Sequence, residues 1–136
     1  MKALNRIIEA ARMAPMRIVL CEAEDPRVLA AASRASREGI ARITLVGAPD
    51  AIRAVAERES LSLDDITLVD PATSDWRARF ASELVALRSA KGMTQGLAQA
   101  EVLKPRVFAD LMLRCGYADW SLASGVHTTA DVVRTA

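Results

Sequence analysis

Apolar residues recur along this chain at two spacings, and the switch from one to the other lays out its elements. Leu4, Ile7, Ile8 and Ala11 follow a helical period with Lys2, Arg6, Glu9 and Arg12 mostly off that face, which predicts an amphipathic helix ending before Pro15. The run RIVLC at 17–21 is short, β-rich and almost wholly apolar, the pattern of a buried strand. Asp25 follows as an N-cap and Pro26 as a first helical residue, and the helix they open carries Val28, Ala31, Ala32 and Ala35 on one face until Gly39 stops it. A second strand is expected at 43–46, a helix from Asp50 to Glu59, and a third strand at 66–69 closed by Asp70-Pro71.

The second half is mostly helical. Trp76, Phe80, Leu84 and Leu87 share one face of a long helix over 74–88, which packs these large residues inward before Gly92 ends it. A shorter helix at 94–103 and another opened by Pro105 follow, the latter with Val107, Phe108, Leu111, Met112 and Cys115 on one face and Gly116 at its end. Trp120, Leu122 and Ala123 read as a last buried strand, which breaks into Ser124-Gly125, then His127-Thr128-Thr129, then a helix start at 130–134. Strands and helices alternating over short links predict an α/β fold, an open parallel sheet of about four strands flanked by helices.

Open parallel sheets bind ligands at the carboxyl ends of their strands, so 21–25, 47–49, 70–71 and 123–129 are expected along one rim. At the last of these junctions glycine permits close approach, free helix N–H groups point outward and hydroxyls add donors, which suits an anion. An ordinary strand-to-helix connection uses the same residue types, and capping by Thr128 or Thr129, with Asp131 in the first turn, accounts for them equally. His127, the single histidine, is either a hydrogen-bonded structural group or a donor to an anionic substrate. Arg88 with Lys91 complements a helix C-terminus. Glu22, Glu24 and Asp25 resemble an acid–base cluster, although an N-cap in a solvated loop explains them more simply.

Composition narrows the classes without selecting one. The 136 residues fit one domain with a real core, and 51% hydrophobic with 26% charged residues is ordinary for a globular protein. The 18 basic and 17 acidic residues are interspersed and leave a net charge of +1, so nothing argues for nucleic acid or a membrane surface as partner. No apolar run approaches a membrane span, and charges interrupt the N-terminal segment where a signal peptide needs an apolar core. Cys21 and Cys115 have no metal-ligand spacing, so two reduced thiols in a cytoplasmic protein are expected and no metal site.

Three segments, EDPRVLAAA at 24–32, RSAKGMT at 88–94 and VHTTADVVR at 126–134, resemble the phosphate acetyltransferase and phosphate butyryltransferase family, in the family's order and across nearly the whole chain. The family protein is more than twice this length, so the resemblance is to its N-terminal portion, and the chain's stop at Arg134-Thr135-Ala136, within the first turns of a helix, agrees with a longer parent. The resemblance implies the first domain of an isocitrate/isopropylmalate dehydrogenase-like fold, with a cleft between two domains as the site. It implies acyl transfer between acetyl-CoA and inorganic phosphate, giving acetyl phosphate and CoA, with coenzyme A as substrate and no bound cofactor. Ser124, His127, Thr128, Thr129 and Arg134 then serve the phosphate side and Arg88 the coenzyme. The residues that run the chemistry come from the later part of the family chain, so this chain alone is expected to be inactive, and apolar surface left by a missing second half favours a homo-oligomer. Two other implied readings are a phosphate butyryltransferase and an acyl-CoA-sensing domain like those fused to malic enzymes. The chain departs from the family at Trp120, at Ala123-Ser124-Gly125 where the small residues are shifted by one, and at Cys21, Ala23 and Thr135.

Overall fold

A computed structural model describes Arg6, Met13 and residues 15–122. Arg6 and Met13 are both helical, and the remainder of the expected N-terminal helix lies outside the described residues. Four strands, β1 (Met16–Leu20), β2 (Ala41–Val46), β3 (Thr67–Val69) and β4 (Trp120–Leu122), form one sheet in the order β3-β2-β1-β4, with every pairing parallel. Register is fixed at Ile18 opposite both Ile43 and Trp120, and at Leu45 opposite Leu68. The expected α/β architecture is present.

Alternation along the two central strands divides the core. Val19, Cys21 and Val46 point to one face, where they meet Phe80, Leu84, Phe108, Leu111 and Met112 of α3 (Arg77–Arg88) and α5 (Pro105–Arg114). Ile18, Leu20, Ile43 and Leu45 point to the other, against Leu29, Ile52 and Val55 of α1 (Pro26–Arg37) and α2 (Pro49–Arg58). Between α3 and α5 run a 3-10 turn, Ser89–Lys91, and the short α4 (Gln95–Glu101), which adds Ala98 to the first face. Helices thus cover both faces, as a parallel sheet requires.

Local signals account for the boundaries. Asp25 Oδ1 accepts a hydrogen bond from the Arg27 N–H at 2.9 Å and Pro26 occupies the first turn, as expected. Thr94 caps α4 through Leu97 N–H at 3.3 Å. Gly92 and Gly116 close their helices at φ +85°, where an L side chain is strained.

Three details differ from the pattern. On α1 the buried positions are Leu29, Ala32 and Ser33, one residue round from the expected face, because Ser33 satisfies its hydroxyl by donating to the Ser62 carbonyl at 2.8 Å. Trp76 precedes α3 and stacks on Tyr117 at 4.3 Å, while Leu87 is 41% exposed where the helix runs past the core. β4 is an edge strand among the described residues, with Trp120 and Leu122 about half exposed and Ser121 turned inward, not the buried strand its composition suggests. Its entry is clamped to β1: Asp119 N–H donates to the Arg17 carbonyl at 2.7 Å, and Arg17 donates back from N–H and guanidinium to the Asp119 carboxylate.

Candidate functional site

The chain lays β1, β2 and β3 outward in sequence and then returns to place β4 on the far side of β1. Strand order therefore reverses between β1 and β4, the position where open α/β sheets form a ligand crevice at their carboxyl ends. One of two cavities lies at this end. About 550 Å³ in volume, it is the expected rim: it is lined by residues 21–25, by Val46, Gly47 and Ala48, by Asp70 and Pro71, and on its far side by Leu103 and Pro105.

The other is a groove of about 840 Å³ between the end of α3, the 3-10 turn, α4 and α5, and it contains Arg88. Five cations line it, Arg88, Lys91, Lys104, Arg106 and Arg114, against two carboxylates, Glu101 and Asp110. Lys104 is held by Glu101 at 2.8 Å and Arg114 by Glu83 at 3.6 Å. Among the described residues, Arg88, Lys91 and Arg106 make no ion pair within 4.0 Å, so they remain available to an anion. The turn before α5 and the first residues of that helix part the two cavities, with Leu103 and Pro105 lining the rim and Lys104 and Arg106 lining the groove.

Between cavities and sheet sits a small polar cluster. Ser121 on β4 donates to Asp110 Oδ1 at 3.0 Å, and burial raises the Asp110 carboxyl above its ordinary range, partly countered by this bond and by the fields of Arg106 and Arg88. The Cys21 thiol contacts the Leu122 carbonyl at 3.9 Å; burial first, then the charges of Glu22 and Asp110, push its pKa up to about 11. Cys21 is therefore a packing residue, and both it and Cys115 are free thiols. Asp25 is held below the usual carboxylate range by Arg27 and is committed to capping α1. Among the described residues no group of three or more His, Cys, Asp or Glu is placed to hold a metal ion.

Of the sequence candidates, Arg88 is in the groove, whereas Ser124, His127, Thr128, Thr129 and Arg134 lie outside the described residues. Arg106 and Asp110 were not legible as a pair. Their i,i+4 spacing places them together on α5, and Asp110 three residues after the buried Val107 is the signal that a carboxylate enters partly buried surroundings.

The model of the phosphate acetyl/butaryl transferase family matches residues 2–136. The chain belongs to that family. It is 38% identical over 131 residues to the phosphate acetyltransferase of Deinococcus radiodurans, covering 96% of this chain and 18% of that protein. It is 35% identical over 134 residues to the phosphate acetyltransferase of Clostridium acetobutylicum, covering 98% of this chain and 40% of the relative. The EutD phosphotransacetylase from Staphylococcus aureus superposes with a TM-score of 0.84 at 27% identity, covering 96% of this chain and 41% of that one. The chain thus spans well under half the length of the relatives it matches. No described helix is long and apolar enough to cross a membrane.

Proposed function

We propose that this chain is the N-terminal portion of a two-domain phosphate acetyltransferase and supplies one wall of the cleft in which an acetyl group passes between coenzyme A and inorganic phosphate. The observation that carries the coenzyme side is the groove holding Arg88, Lys91 and Arg106 together with, among the described residues, no carboxylate partner within 4.0 Å, a cationic surface fitted to phosphate groups. The phosphate side is assigned to Ser124, His127, Thr128, Thr129 and Arg134. It is supported by the family match over those positions and by β4 reaching the carboxyl edge beside β1 at the reversal of strand order. Acetyl is preferred to butyryl because the similar proteins carry the former name.

The reaction needs a base to generate the thiolate of coenzyme A, charge stabilisation at the carbonyl oxygen and cations around phosphate. Of these the described residues offer the cations, Arg88, Lys91 and Arg106. Free thiols support a cytoplasmic setting, and the half-exposed Trp120 and Leu122 on an edge strand support self-association. Two measurements test the assignment. The isolated chain is expected to form no acetyl phosphate at an enzymatic rate, because one wall cannot position both reactants. It is also expected to bind coenzyme A, with a loss of about tenfold or more in Arg88→Gln, as removing one charged hydrogen-bond partner implies. Ordinary turnover by this chain, or binding indifferent to Arg88, would overturn the proposal.

A further inference from the structure

Asp110 lines the groove as a half-buried carboxylate held by the Ser121 hydroxyl at 3.0 Å. Arg88 from α3 and Arg106 from its own helix both act on it through their charge, yet neither comes within 4.0 Å of its oxygens. Among the described residues, Cys21 at the end of β1 also senses its charge. A carboxylate fixed by a neutral donor and set near two cations without closing on either is a counter-charge and not an ion-pair partner.

We propose that Asp110 is a specificity-determining residue of this groove, an internal counter-charge for Arg88 and Arg106 with which an incoming anion must compete and whose protonation strengthens anion binding. This rests on the reading of the groove as the coenzyme A side of the cleft. A phosphate group entering beside Arg88 or Arg106 meets the repulsion of Asp110 unless a proton is taken up from solvent. Burial brings that uptake closer to neutral pH than for a surface aspartate, while the Ser121 hydroxyl and the two arginines oppose it.

Calorimetric titration of the chain with coenzyme A from pH 5 to pH 8 tests this with wild type, Asp110→Asn, Ser121→Ala and Arg88→Gln. Ligand phosphates titrate identically in each, so differences between proteins isolate the carboxylate. Asp110→Asn is expected to bind about three- to tenfold more tightly at pH 8, the size of one unit charge removed at several ångströms in a solvated groove, with the gain shrinking as the pH is lowered. Ser121→Ala removes the donor that favours the charged carboxylate, so its affinity should begin to rise at higher pH than in wild type. If Asp110→Asn fails to fold, Ser121→Ala decides, and a profile identical to wild type overturns the proposal. Asp110→Asn binding no more tightly at pH 8, with Arg88→Gln still losing affinity, overturns the counter-charge role and leaves the groove assignment standing. Binding absent from wild type, or unaffected by Arg88→Gln, overturns both.

Discussion

Ser33 ties α1 to the segment after α2 through one buried bond to the Ser62 carbonyl. Removing the hydroxyl strands that carbonyl, so Ser33→Ala should cost about 1–2 kcal/mol, read as a lower urea midpoint at unchanged slope. Cys21 is a residue whose surroundings remove a reactivity. With its pKa pushed up to about 11, its thiolate is scarce at pH 8. In a Cys115→Ser background, alkylation of the folded chain at pH 8 should run roughly a hundredfold or more slower than in denaturant, given an unperturbed thiol near 8.5. Equal rates in the two conditions would show that the thiol is neither buried nor flanked by charge as described.

At the level of elements, the legible parts of the sequence are those where local chemistry and tertiary packing agree. The cap at Asp25, the proline at the start of α5, the glycine stops and the four parallel strands each have a single local cause, and each stands where the pattern put it. The face of α1 was not legible, because helical spacing counts apolar residues and the third buried position is a serine satisfied from 29 residues away. The error is testable: Leu29→Ala should cost about 2–5 kcal/mol as a core truncation, whereas Ala31→Gln, on the solvent side, should change stability by less than about 0.5 kcal/mol. The exposure of β4 has a related reason. Apolar composition says that a strand can be buried, but only strand order says whether anything lies beside it. The groove was the least legible feature, since its cations come from α3, the 3-10 turn and α5, and only their crossing brings them together.

For the molecule as a whole, acid separates the carboxylates into two groups. Asp25 and Asp119 have lowered values because Arg27 and Arg17 donate to them, so their contribution is present above the unfolded value of about 3.9 and is lost as pH falls through the folded one. Asp110 is raised by burial, so its contribution is complete below the unfolded value and is lost as pH rises through the folded one. Thermal unfolding should therefore show Asp119→Asn less stable than wild type at pH 7 and nearly equal to it in acid. Asp110→Asn should gain on wild type at pH 7, and that gain should vanish near pH 4.

The junction that leads into α5 has a consequence for chain length. Its successive residues serve opposite sides, Leu103 and Pro105 one way, Lys104 and Arg106 the other. Deleting Leu103 or Lys104 would take a lining residue from one side and shift its neighbour out of step with both cavities. Spacing at this junction is consequently a requirement in its own right, beside the identity of the side chains it carries.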